Sequence, residues 1–413
     1  MLKIYHSFFW ILVILISSCS QQTYNNNNSF LKSGQEPFGP YQPSPDWPKD
    51  ISTIPGYEKW TWGAIQGVFA ESADRIFVIQ RGLLPKINRP ETRFVEDQGT
   101  RLLFPVGRNY SWRDNTMPWR DATQASPDHN NDHGWNIWQS AGYIKGVDAL
   151  WENCVVVINR EGDIVETWNQ WDSMWVKPHA VHINPYDPDK HVWIVDDFAH
   201  AIYKFTNDGK EIIQTLGVPN EPGQDEKHFA RPTFMAFSED AIFVADGYVN
   251  SRVIKFDLEG NYLLQWGQEG TLPDDTRPGY FNALHGIDID PESGRVYVSD
   301  RMNNRIQVFD QNGNFIFQWR VGDPPSDVQY LIVSNGALWV MDAGTTKLLK
   351  YDLEGNFLNS WGTWGTFSGG MWGVHGMTVD EEGNFYISEV NTGRVQKFTP
   401  RTGVNPDYLI LKP

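Results

Sequence analysis

The sequence predicts an all-β chain closed into a six-bladed β-propeller, and three observations carry that reading. A pattern of four short strands recurs along the chain, Gly-containing hairpin turns punctuate it, and histidines stand at the same point of every second repeat.

Taken in order, the chain opens with "MLKIYHSFFWILVILISSC", a basic residue followed by an apolar run too short to span a bilayer comfortably and closed by small residues. Residues 1–18 therefore read as a secretory signal. Ile16-Ser17-Ser18-Cys19 resembles the bacterial lipobox. The mature protein is expected to start at Cys19, with lipid on its sulfur holding it outside the cytoplasm, on the periplasmic or cell-surface side of a bacterial membrane. Residues 19–50, rich in Gln, Asn, Ser and Pro, are expected to form a flexible tether, and 51–413 the propeller. Beyond Cys19 the sequence holds only Cys154, so no internal disulfide is expected.

Composition narrows the partners. A net charge of −17 argues against nucleic acid or an anionic membrane surface and leaves room for a metal-dependent ligand. With 14% aromatic and 21% charged residues the chain can bury a large core. A monomer is expected.

The repeats are legible as "VWIVDDFAHAIYKFTNDGKEIIQTLG", "IFVADGYVNSRVIKFDLEGNYLLQWG", "VYVSDRMNNRIQVFDQNGNFIFQW", "LWVMDAGTTKLLKYDLEGNFLNSWG" and "FYISEVNTGRVQKFTPRTG". Alternating apolar and polar residues joined by "NDG", "LEGN" and "QNGN" turns describe antiparallel strands. A first blade is recovered from "GVFAESADRIFVIQRG" and, after a long insertion at about 85–150, "CVVVINREGDIVETW". The insertion mixes Trp, Arg, Asp and His without a strand or helix period, and its aromatic content suggests an ordered cap over one face. The last blade lacks a clear final strand.

Aligning the blades just before the first strand gives Gln66, His179, Thr233, His285, a position between Ser326 and Gln329, and His375. In a six-bladed ring alternate blades lie about 120° apart. The three imidazoles are therefore expected to converge at one mouth of the channel. That suits a three-histidine metal site with open positions, with zinc as the default and iron, cobalt or manganese also compatible with the ligands. His182, His200 and His228 have no repeat-related partners and are expected to be packed or solvated. The second strands end at Gln80, Asp196, Asp246, Asp300, Asp342 and Glu389, where the acids are expected to bond backbone amides. In the loops that follow stand Arg81, Arg301 and Tyr248. The arginines are suited to gripping a carboxylate, and a tyrosine beside a metal and arginines can have a lowered pKa and serve as a base.

These residues resemble a known family. The repeats resemble NHL repeats, and residues from about 60 to 400 are similar to peptidyl-α-hydroxyglycine α-amidating lyase (peptidylamidoglycolate lyase), a catalytic domain of peptide-amidating enzymes. "HFARPTFMAFSEDAIFVADGYVNSRVIKF" corresponds to that family's tyrosine-bearing blade, with "DGYVNSR" its most specific stretch. "VKPHAVHI", "ALHGIDID" and "GVHGMTVD" fit its histidine blades. The resemblance implies that His179, His285 and His375 bind catalytic zinc and that Tyr248 is the base. Arg81 and Arg301 would bind the substrate carboxylate or polarise the reacting centre. It implies a substrate that is a small molecule or peptide with a carboxylate, a carbinolamide whose C–N bond is cleaved to give an amide and glyoxylate. A structural calcium is a further implication, although the acidic residue expected after the third histidine is Gly376 here, which leaves backbone carbonyls around Val68 and Val181 as donors. The competing expectations are a non-catalytic NHL propeller binding a peptide, glycan or protein, and a calcium-dependent lactonase, for which the alignment supplies no converging Glu, Asn and Asp.

Overall fold

A computed structural model describes residues 37–86, 93–94, 103–104, 144–271 and 275–412. The signal peptide, Cys19, residues 19–36 of the tether and the centre of the insertion lie outside them. Six four-stranded antiparallel sheets are arranged as blades. Blade 1 comprises Trp60–Ser72, Arg75–Pro85, Val155–Ile158 and Ile164–Thr167; its second and third strands flank the insertion. Blade 2 runs from Pro178–Ile183 to Ile212–Leu216, blade 3 from Pro232–Phe237 to Tyr262–Trp266, blade 4 from Leu284–Ile289 to Phe315–Arg320, and blade 5 from Val328–Ser334 to Phe357–Trp361. Each innermost strand packs on those of the blades before and after it, and that of blade 6 packs on that of blade 1, so the ring is closed.

Burial follows strand position. The first and second strands of blades 2 and 3 are buried along their whole length, whereas the fourth strands Ile212–Leu216 and Tyr262–Trp266 alternate between exposed and half-buried residues. The core lies between blades. Tyr297, Ile306 and Val308 of blade 4, for example, pack on Leu331, Leu338 and Val340 of blade 5.

Blade 6 corrects the expected tether boundary. Its first three strands are Val374–Val379, Phe385–Glu389 and Arg394–Pro400, and its fourth is Tyr41–Pro43 from the other end of the chain. Tyr41 is fully buried against Trp361 and Phe385, and its hydroxyl accepts from the Ile410 amide at 2.9 Å. The same segment copies a lock used elsewhere in the ring. Trp168, Trp266 and Trp319 each lie against the hairpin glycine of a following blade (Gly209, Gly313, Gly355), in space a β-carbon would need. Trp361 meets Gly39 in that way, and Trp47 packs close to Gly162 of blade 1. Residues 39–47 are thus the missing hairpin and outer strand of blade 6. Their polar, Pro-rich composition hid this, because Tyr41 and Trp47 alone supply the anchoring.

Four of the strand-end acids act as expected, whereas Glu389 accepts from the side chains of Thr392, Arg394 and Gln396. Asp196 accepts from the amides of Val176 and Lys177, Asp246 from Ala230, Asp300 from Asn282 and Asp342 from Asp327. Each ties down the loop that enters the innermost strand of its own blade, and those loops carry the site.

Candidate metal centre

All six innermost strands share an irregularity. The register with the second strand shifts between Ile65 and Gly67, Pro178 and Ala180, Pro232 and Met235, Leu284 and Ile287, Val328 and Tyr330, and Val374 and Gly376. Gln66, His179, Thr233, His285, Gln329 and His375 all fall within these shifts. A bulge takes its residue out of the ladder, which re-aims the side chain and releases the backbone carbonyl.

Both consequences are used. The side chains of His179, His285 and His375 turn to the axis, where their candidate ligand nitrogens lie within 4.8 Å of one another and all three rings are buried. Each Nδ1–H donates to the released carbonyl of the next blade: His179 to Thr233 at 2.9 Å, His285 to Gln329 at 2.5 Å, and His375 to Gln66 at 2.7 Å. A carbonyl can only accept, so this bond fixes the tautomer and leaves every Nε2 as a lone pair. Burial holds all three imidazoles neutral. His179 and His285 are far below their ordinary range, helped by neighbouring imidazoles and arginines, and His375 is pushed down to about 3.

The Tyr248 hydroxyl lies 3.0 Å from Nε2 of His179 and 2.8 Å from Nε2 of His285. Its single proton can serve only one of them. Three lone pairs therefore face one hydrogen in a buried space, an arrangement that a cation or the hydrogens of water would relieve. The donor set fits zinc: three neutral imidazoles, each oriented by an outer acceptor, with room for further ligands. It does not fit calcium at Gly376, whose amide donates to the Ser388 hydroxyl and which brings no carboxylate. Among the described residues a second acid and histidine group, Asp187, Asp189 and His191, stands on a turn where His191 is already paired with Asp187.

Burial raises the pKa of Tyr248 above 10; Arg301, Arg231 and Arg81 oppose this, and Asp197 adds to it. Arginine charge alone does not overcome the loss of water.

Arg81 and Arg301 reach the same mouth, and both are ion-paired. Arg301 holds Asp327 through Nε at 2.6 Å and Nη2 at 3.0 Å. Arg81 donates to the Pro178 carbonyl and to Asp197, and burial lowers its pKa to about 10. Four residues missed by the sequence reading complete the mouth: Lys177, Asp197, Arg231 and Asp327. Arg231 pairs with Asp197 and lays its guanidinium 4.5 Å over the Tyr248 ring and 4.1 Å over Phe198. Lys177 sits 4.4 Å over the other aromatic contact, the Phe198 ring. The signal for them lay in adjacent alignment columns. Lys177, Arg231 and Asp327 stand two residues before His179, Thr233 and Gln329, and Asp197 occupies the column of Arg81 and Arg301.

Below the histidines the channel is plugged. Phe234 packs on all three imidazoles with centroids 5.1–5.7 Å away, and on Tyr330 and His182. His182 is buried as expected, and burial pushes it down to about 3. His200 is buried and accepts from the Arg231 amide, while His228 pairs with Asp225 on a loop.

Comparison with known proteins agrees with the propeller fold. The NHL repeat family model matches residues 281–309, the part of blade 4 that contains His285. The chain is 28% identical over 298 residues to peptidyl-glycine alpha-amidating monooxygenase A of Xenopus laevis, covering 66% of this chain and 30% of that protein. It is 28% identical over 267 residues to peptidyl-alpha-hydroxyglycine alpha-amidating lyase 1 of Drosophila melanogaster, covering 59% and 48%. Human NHL repeat-containing protein 3 is 27% identical over 355 residues, covering 74% and 92%. The chain spans 29–32% of the length of the first amidating monooxygenases it matches. The chain is a six-bladed propeller with an NHL repeat match at residues 281–309, and it is homologous to the amidating lyases at 26–30% identity.

Proposed function

We propose that the protein is a zinc-dependent lyase that cleaves the C–N bond of a carbinolamide, a small molecule or peptide ending in α-hydroxyglycine, to give an amide and glyoxylate. The observation that carries this reading is the meeting of three tautomer-locked imidazole lone pairs with one tyrosine hydroxyl. Similarity to proteins named for hydroxyglycine amidation supports the substrate class.

Zinc held by His179, His285 and His375 would acidify a nearby hydroxyl as a Lewis acid. Tyr248 would take the proton of the substrate hydroxyl once zinc beside it adds to the Arg301, Arg231 and Arg81 guanidiniums, which by themselves do not offset its burial. As the O–H bond breaks, the carbinol carbon becomes the aldehyde of glyoxylate, the C–N pair returns to nitrogen, and the amide nitrogen takes the proton from Tyr248. Arg301 and Arg81 hold the substrate carboxylate and keep the reacting carbon over the histidines.

The test is metal analysis of the purified protein together with glyoxylate release from α-hydroxyhippurate. About one zinc per chain with glyoxylate formation is the expected result. Zinc without glyoxylate would remove the substrate assignment, and protein with no affinity for zinc would favour a non-catalytic propeller. The proposal extends to location, with the chain held outside the cytoplasm by lipid on Cys19; the mass of the mature N-terminal peptide checks it.

A further inference from the structure

Among the described residues, the mouth above the histidines holds four cationic side chains, Lys177, Arg81, Arg231 and Arg301, beside the carboxylates Asp197 and Asp327, with Asp196 also acting on Lys177 and Arg81. Their pairing is uneven. Arg81 and Arg231 share Asp197, each taking its own oxygen. Arg301 holds both oxygens of Asp327, which Gln329 also approaches at 3.1 Å. Lys177 lies within electrostatic reach of Arg81, Arg231, Asp197 and Asp196, yet its ammonium makes no hydrogen bond or ion pair among the described residues, only the contact with Phe198. An ammonium left in a crowded concave site beside two guanidiniums is unfavourable without an anion. Lys177 belongs to blade 2 and Arg301, already paired with Asp327, to blade 4, about 120° apart around the axis, so a carboxylate held at Arg301 does not supply the partner that Lys177 lacks.

We propose that Lys177, flanked by Arg231, recognises a second anionic group on the acyl side of the substrate, so that the preferred substrate class is an N-acyl-α-hydroxyglycine whose acyl part carries its own carboxylate. This rests on the lyase reading for the orientation of the substrate: the hydroxyglycine carboxylate lies at Arg301, the carbinol over the histidines, and the acyl chain toward blade 2. Lys177 and Arg231 are then specificity residues, since neither needs to touch the reacting bond.

The experiment compares two unreactive ligands of equal size on the zinc-loaded full chain by calorimetry: N-succinylglycine, with two carboxylates, and N-succinamoylglycine, in which the distal one is an amide. A charge-assisted contact predicts about 10-fold tighter binding of the diacid. The ratio should shrink with added salt and fall close to one in Lys177→Met. Equal affinities in the unmodified protein would overturn the proposal, as would a ratio untouched by Lys177→Met. Weakening of both ligands together in that variant would assign Lys177 to the hydroxyglycine carboxylate and overturn it as well. The lyase reading is separated by N-succinyl-α-hydroxyglycine: absence of glyoxylate with the affinity ratio intact would sink the reaction and leave the anion site standing.

Discussion

Blades 2, 4 and 6 differ from blades 1, 3 and 5 in one column of the repeat, and the site is built from that difference. The even blades present an imidazole at the bulge; the odd blades present Gln66, Thr233 and Gln329, two amides and a hydroxyl with no imidazole among them. What the odd blades contribute is a backbone carbonyl, freed by the same bulge that aims the histidines of the even ones. One backbone device thus serves two purposes: in half of the ring it points an imidazole to the axis, and in the other half it fixes that imidazole's tautomer. Metal ligands commonly need such an outer acceptor, and here the fold supplies three without spending a side chain.

The largest expected effect breaks the even half. His285→Ala removes one of three converging lone pairs and leaves the Gln329 carbonyl without its donor. Zinc should be lost on purification, and glyoxylate release should fall by more than the about 10²-fold typical of losing an outer partner. Metal analysis beside the activity assay decides it. Full zinc retention by the remaining two imidazoles would show that the even blades are not the ligand set.

Next comes the residue joining the two halves. Tyr248 is carried by blade 3 and bonds to histidines of blades 2 and 4. Tyr248→Phe keeps the ring that Arg231 covers and removes only the hydroxyl. Zinc content should be unchanged while turnover drops about 10²- to 10⁴-fold, the usual contribution of a positioned acid or base. Unchanged turnover would take Tyr248 out of the chemistry.

The contrast between column and backbone also marks what could be read from sequence. The strand and turn pattern showed the blades, and the even-blade histidines stood out because imidazole is rare and the spacing regular. The carbonyl acceptors were invisible, since every residue has a carbonyl and a bulge changes no letter. Lys177, Arg231 and Asp327 were missed because they stand two positions before the histidine column, and Asp197 because a carboxylate in the column of Arg81 and Arg301 looks like scatter. Ring closure was missed for another reason. A strand of three residues, Tyr41–Pro43, falls below any periodicity signal, and its partner, Arg394–Pro400, is at the far end of the chain.

A smaller effect separates the ligand from a look-alike on its own strand. His182 follows His179 by three residues and is equally buried, but its Nε2 has no hydrogen-bond partner and no carbonyl orients it toward the axis. Burial alone holds its pKa at about 3, against about 6.5 in an unfolded chain. The unfolded state therefore binds the extra proton as pH falls below 6.5, and the folded state does not. This contribution costs stability progressively from pH 6.5 down to pH 3 and nothing above it. His182→Leu should keep zinc and lessen the stability lost between pH 7 and pH 5 by about 2 kcal/mol at most. Denaturant titrations of both proteins at the two pH values measure it, and an identical acid loss would mean that His182 already gains a proton in the folded state.

The smallest expected effect tests the odd half directly. Gln66 serves His375 through its carbonyl at 2.7 Å, and that oxygen also accepts from the Ser388 hydroxyl at 3.0 Å, whereas the Gln66 side-chain Nε2 is buried without a partner. Gln66→Met preserves side-chain volume and the bulged carbonyl while removing an unsatisfied amide. Zinc affinity and turnover should stay within about 3-fold of the unmodified protein, since volume-conserving swaps in packed sites are the best tolerated. A loss of zinc affinity of about 10-fold or more, the scale expected when an outer-sphere partner is removed, would mean that the amide itself orients His375. The odd blades would then contribute by residue identity, and the division of labour between side chain and backbone would not hold at that blade.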